Sequence, residues 1–167
     1  MRNIALIAHN LRSCHNVGSL LRTADGLGVC TVYLTGYTPY PLRENDTRLP
    51  HIATKVHKQI QKTALGAEST GRWTHSDDVL SVIHQLKSEG FTVCALEQDG
   101  FAVDITTWKP PTNVALVVGR ETEGIEPEVL AACDTVLEIP MLGKKESFNV
   151  TQATAMALYH CAFANLV

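Results

Sequence analysis

The stretch NVALVVGRETEGIEPEVLAACD, residues 113–134, decides the fold. After Asn113, residues 114–118 are apolar and rich in β-branched side chains without polar alternation, as in a strand covered on both faces of a sheet. Gly119 follows, at a point where a backbone without a side chain lets a ligand come close. Three acids, Glu121, Glu123 and Glu126, then precede Pro127, which suits the first turn of a helix. The acids have a plain reading as favourable charges at that helix N-terminus. This accounts for Glu126 well and for Gly119 poorly.

Similar apolar runs recur on either side: NIALIA at 3–8, CTVYL at 30–34, FTVCAL at 91–96 and TVLEI at 135–139. Helical periods separate them. One helix follows Asp77 or Asp78 as cap, with Val79, Ile83 and Leu86 on one face and Gly90 at its end. Residues 51–65 predict a more basic helix, and the Ala-rich segment from Asn149 to Asn165 a helix that is either core or a subunit contact. Strands alternating with helices predict an α/β fold, a mainly parallel sheet with helices on both faces, in one domain spanning 1–167.

Composition excludes several classes. At 45% hydrophobic and 19% charged residues the chain is neither disordered nor a disulfide scaffold. No apolar run approaches the roughly 20 residues of a membrane-spanning helix, and the apolar start reads as a first strand of a cytoplasmic protein. The cysteines, Cys14, Cys30, Cys94, Cys133 and Cys161, are scattered, which predicts reduced thiols rather than disulfides or zinc ligands. His9/His15 and His51/His57 lie six apart, a spacing that does not put two ligands on one helical face, so no metal is expected.

Charge is uneven. Residues 1–62 carry eight Lys/Arg against three acids, whereas the remainder carries six against fourteen, within a net charge of −3. A local basic face is compatible with RNA or another anionic partner, although chance asymmetry explains it too.

Ligands of open α/β sheets sit outside the carboxyl ends of the strands, which directs attention to the loops after residues 8, 96, 118 and 139. No G-x-G-x-x-G follows the first strand, and neither a Walker loop nor G-x-S-x-G is present. In HNLRSCHNVGSLLRTADGLGV, residues 9–29, Asn16 could cap the helix, while Arg22 lies among small and apolar residues where a guanidinium could grip a phosphate. In EIPMLGKKESFNVTQATAMALYH, residues 138–160, Ser147 and Asn149 could cap the last helix or face a ligand.

In this order, N-V-G-S-L-L-R-T-A, V-G-R-E-x-x-G-I and I-P-M-L-G-x-x-x-S-F-N-V resemble the three signature motifs of the SpoU/TrmH-like branch of the SPOUT RNA methyltransferases, over nearly the whole chain. The resemblance implies a C-terminal trefoil knot, a homodimer, S-adenosylmethionine as cofactor, and methylation of a ribose 2′-hydroxyl in tRNA or rRNA. It assigns catalytic parts to Asn16, Arg22, Glu121, Ser147 and Asn149, and cofactor contacts to Leu96, Gly119, Ile139, Met141, Ser147 and Phe148. The separate RNA-binding domain of many relatives is not expected. Met156, Ala157, Tyr159 and Phe163 on the last helix offer a patch for dimerisation. The competing function is a binding module, sensing RNA or cofactor on the same fold without turnover.

Overall fold

A computed structural model describes residues 2–164. The chain forms β1 (Asn3–His9), α1 (Cys14–Gly26), β2 (Thr31–Thr35), α2 (Pro50–Ala64), α3 (Ala67–Thr70), β3 (Trp73–Ser76) and α4 (Val79–Ser88). It continues through β4 (Thr92–Leu96), β5 (Val103–Asp104), β6 (Asn113–Val118), α5 (Pro127–Ala132), β7 (Thr135–Glu138) and α6 (Val150–Phe163). The seven strands run in the order β3-β2-β1-β6-β4-β7-β5, and every pairing is parallel.

The apolar runs occupy the sheet centre because they can be buried on both sides. In β1, Ile4, Leu6 and Ala8 face one core while Ala5 and Ile7 face the other; β6 alternates likewise, with Val114, Leu116 and Val118 against Ala115 and Val117. The first core is closed by α1, α2 and α6 through Leu20, Ile60 and Leu158, the second by α4 and α5 through Ile83 and Val129. Helices therefore cover both faces, as the apolar runs predict. Because α1 leaves β1 on one face and α5 leaves β6 on the other, a crevice opens between their carboxyl ends, the usual ligand position of such sheets.

Three short elements carry no sequence signal: α3, β3 and β5. The last two are the edges of the sheet, half-buried at best, and β5 has two residues. Capping departs from expectation at Asn16, because Ser13 is the N-cap of α1 and accepts the Asn16 N–H at 3.2 Å. Asp78 caps α4. Asn149 caps α6, which is described to Phe163; the expected endpoint Asn165 lies outside the described residues. On that helix Ala157 is fully buried, so it belongs to the core rather than to a dimer patch, whereas Met156, Tyr159 and Phe163 are exposed.

The long connection from β2 to α2 is pinned by Arg48, whose guanidinium lies 3.6 Å from the Tyr40 ring centroid. It donates to the Tyr40 carbonyl at 2.9 Å and pairs with the shielded Asp46 carboxylate. Arg48 holds the Asp46 carboxyl well below the usual carboxylate range, chiefly through this hydrogen bond. A depressed carboxyl pKa contributes stability that is complete above the unfolded value near about 4 and is lost as pH falls toward the folded value. Asp46→Asn is therefore expected to lower the unfolding midpoint at pH 7. Its deficit against the unsubstituted protein should shrink progressively below about pH 4. A deficit that stays constant from pH 7 to pH 2 would contradict this account of the loop.

Candidate active site

Two loops meet at the carboxyl ends of β1 and β6, and each acid of the second finds a partner on the first. The Asn16 amide donates to Glu121 Oε1 at 2.8 Å, Arg12 pairs with Glu123 at 3.2 Å, and the Asn10 amide donates to Glu126 Oε1 at 2.9 Å. The acids thus tie residues 119–126 onto residues 10–16. Glu126 is the N-cap of α5 by position but makes no side-chain capping bond, so a helix-terminus role does not explain it.

Glu126 also lies 3.3 Å from His9 Nε2 and 3.5 Å from Arg120. His9 is buried, and burial lowers its pKa, against the opposing pull of Glu126. Around it, Nδ1 lies 2.9 Å from Thr35 Oγ1 and Nε2 2.9 Å from the Asn10 amide nitrogen, which also donates to Glu126, while Asn10 Oδ1 accepts the Tyr37 N–H.

Beside this junction lies a cavity of about 280 Å³ at the ends of β4, β6 and β7. Leu96, Gly119, Glu121, Ile139, Ser147 and Phe148, all singled out in the sequence, line it together. Two of the three motif stretches, 113–134 and 138–160, therefore meet there, together with the end of β4. Asn16 joins them through Glu121. Met141 and Asn149 are not among the lining residues; Asn149 uses its side-chain carbonyl to cap α6, accepting the Thr151 N–H at 2.9 Å, next to the lining residue Val150.

Arg22 stands apart from the cavity. It is exposed and shares a shallow surface cleft with Ser19, Thr23, Lys62, Thr63 and Leu65. The helix explains this, since six residues at about 100° each turn Arg22 some 120° around α1 from Asn16. A single protomer does not bring Arg22 to the cavity.

Sequence reasoning passed over Glu97. Its carboxylate accepts the Ile125 N–H at 3.0 Å and the Gln98 N–H at 3.0 Å, clamping the 119–125 turn to the end of β4. Gly119 is buried where a Cβ would lie 2.6 Å from Ile125 Cγ1 and 2.9 Å from the Gly124 carbonyl, so the turn folds back on the glycine itself. Gln98 in turn donates to the Glu146 carbonyl at 2.6 Å, linking the β4 loop to the loop before α6. Glu97 immediately follows a strand end already singled out, but its partner is 28 residues away, which no local spacing reveals.

The lining has a definite polarity. Glu97, Glu121, Glu138 and Glu146 face one cation, Arg120, while Leu96, Val118, Ile139 and Phe148 supply an apolar wall. Such a cavity favours a ligand with an apolar part and net positive charge. Among the described residues no group of three or more His, Cys, Asp or Glu side chains could hold a metal ion, and no helix is long and apolar enough to cross a membrane.

The sequence model of the SpoU rRNA Methylase family matches residues 3–159. A TrmH-family protein of Staphylococcus aureus, provisionally named a tRNA/rRNA methyltransferase, is 30% identical over 154 residues, 92% of this chain and 56% of that protein. The chain thus spans little more than half the length of that relative. A tRNA (guanosine(18)-2′-O)-methyltransferase of Aquifex aeolicus is 28% identical over 163 residues, 95% of this chain and 68% of that one. Among solved structures, an AdoMet-bound rRNA methyltransferase from Sinorhizobium meliloti superposes with a TM-score of 0.78 at 21% identity, over 95% of this chain and 55% of that chain, which establishes likeness of fold.

Proposed function

This chain belongs to the SpoU rRNA Methylase family, and from that premise we propose that it transfers a methyl group from S-adenosylmethionine to a ribose 2′-hydroxyl of tRNA or rRNA, working as a cytoplasmic homodimer. The observation that carries the reading is the acidic, half-apolar cavity at the β4, β6 and β7 ends, built from the second and third motif stretches and the end of β4, with the first motif joined to it through the Asn16–Glu121 hydrogen bond.

The residues present fit S-adenosylmethionine, whose sulfonium and ammonium outweigh its carboxylate. Leu96, Ile139 and Phe148 would cover its adenine, the Gly119 turn would lie along its backbone-facing edge, and Glu121 with Ser147 would face its polar end. Bound there, the cofactor would supply an electrophilic methyl group on a positively charged sulfur. Four glutamates against one arginine favour a cationic ligand over the neutral demethylated product, which helps release after transfer.

Catalysis then rests on position and charge, with the attacking hydroxyl held about 3 Å from the methyl carbon. Asn16, oriented by Glu121, and Ser147 offer polar groups to hold that hydroxyl. Arg22 serves as a cationic clamp on the adjacent phosphate and the developing alkoxide rather than as a base. The hydroxyl proton leaves to phosphate or water. Because Arg22 lies off its own protomer's cavity, the reading assigns it to the partner's cavity. The exposed Met156, Tyr159 and Phe163 of α6, a helix that packs on α1, provide a surface for that pairing. The reading includes the C-terminal knot, supported by the insertion of β7 between β4 and β5.

Incubation with methyl-labelled S-adenosylmethionine and total RNA is expected to leave label on acid-precipitable RNA. Cofactor binding without any transfer would support the binding-module reading instead. Glu97→Gln, which weakens the clamp on the turn and removes a lining charge, is expected to lower S-adenosylmethionine affinity roughly 5- to 10-fold, since charge-assisted hydrogen bonds are worth about 1.5–3 kcal/mol and the amide retains part of one. Calorimetric titration measures this, and an unchanged affinity would show that the clamp does not shape the cavity.

A further inference from the structure

The proposed reaction needs an RNA strand, yet the cavity is acidic and repels one. The complementary surface lies elsewhere. Helix α2 contains no acid, and His51, Lys55, Lys58 and Lys62 follow one another along its solvent face, while Ala53, Ile60 and Ala64 are buried on the opposite side. At 1.5 Å per residue, Lys55 to Lys62 spans about 10 Å. His51, Lys55, Lys58 and Lys62 line one continuous shallow depression, and Lys62 also lines the cleft that holds Arg22 and Ser19. Among the described residues none of these three lysines, nor Arg22, makes an ion pair.

The close packing of α1 on α2 is what joins the two parts. Gly18 has no room for a side chain, since a Cβ there would lie 2.9 Å from the Ala64 nitrogen and closer still to the Ile60 carbonyl. Thr63 also donates to the His15 carbonyl at 2.8 Å. These contacts place the last turn of α2 against α1, so the lysine row ends at Arg22.

We infer that the solvent face of α2 is a phosphate track for the substrate RNA, with Lys55, Lys58 and Lys62 receiving successive phosphates of one strand and delivering the next to Arg22. The inference rests on the RNA-methyltransferase reading and adds the surface and direction of substrate binding to it. Lysine point charges along an open groove fix the strand's path without reading its sequence.

The test compares binding of bulk tRNA by the unsubstituted protein, by Lys55→Gln/Lys58→Gln, and by Lys109→Glu. The last variant changes net charge by the same two units at an exposed lysine outside the track. The double variant is expected to bind roughly 10-fold more weakly at about 0.1 M salt. Its plot of log affinity against log salt should be shallower by about 1.4–1.8, because two fewer phosphates are neutralised. Lys109→Glu should stay within about 2-fold, and calorimetry should find S-adenosylmethionine affinity unchanged in all three. Retained affinity and slope in the double variant, or equal losses in Lys109→Glu, would overturn the track while leaving the methyltransferase reading standing. A changed sedimentation coefficient without loss of RNA affinity would instead assign α2 to contact between copies of the chain. Absence of tRNA and rRNA binding by the unsubstituted protein would remove the reading and the track together.

Discussion

Arg22→Ala is expected to reduce methyl transfer by about 10³-fold, the usual consequence of deleting a donor aimed at developing negative charge. Arg22→Lys should still lose roughly 100-fold, because an ammonium cannot reproduce a two-pronged grip on phosphate and alkoxide. The same variants should bind S-adenosylmethionine within about 2-fold of the unsubstituted protein and unfold at the same midpoint within about 0.5 kcal/mol, since Arg22 is exposed and outside the cavity. Position also predicts complementation. If Arg22 acts on the partner's cavity, mixing inactive Arg22→Ala with inactive Glu121→Ala restores part of the activity through hybrid dimers that keep one intact site. Near-normal turnover in Arg22→Lys would make the guanidinium dispensable, and failure of mixtures to recover would place Arg22 outside the partner's site.

Gly18→Ala carries the largest expected effect on stability. Alanine is normally preferred inside a helix by roughly 1 kcal/mol. Here that gain is outweighed, because the added methyl meets the backbone of α2 at Ile60 and Ala64 as well as Thr63 Oγ1, and a helix backbone cannot rotate aside as a side chain can. Overpacking of this kind costs about 1–3 kcal/mol, and contact with rigid backbone puts it at the upper end, so a net loss of about 2 kcal/mol and a fall in Tm of roughly 4–8 °C are expected. Displacing α2 also separates Lys62 from Arg22, so RNA affinity should fall further than S-adenosylmethionine affinity. An unchanged or raised Tm would mean that α2 has slack the packing does not suggest.

Strands β1, β2, β4, β6 and β7 were legible because burial on both faces leaves continuous apolar runs, and α4 was legible because Asp78, a periodic face and Gly90 bracket it. Strands β3 and β5 left no such trace, being short edges with one neighbour each. At the site, the second and third motifs gathered five of the six residues that share the cavity, and the end of the β4 run supplied Leu96. The contacts that hold it together lay out of reach, since Glu97 to Ile125 and Asn16 to Glu121 join positions 28 and 105 apart. The roles of Glu121, Glu123 and Glu126 illustrate the difference: local rules see charges before a helix, whereas the fold turns all three back onto the loop after β1. Arg22 and Asn16 share a motif but not a face of α1, which helical rotation alone could have revealed.

The claim that the acceptor is a sugar oxygen is tested by alkaline digestion of RNA labelled by the protein with methyl-labelled S-adenosylmethionine. Alkali cleaves RNA through attack by the 2′-hydroxyl on the neighbouring phosphate, and a methylated oxygen cannot attack. Label is expected to survive in an alkali-resistant dinucleotide. Label released as a mononucleotide would place the methyl group on a base and contradict the account.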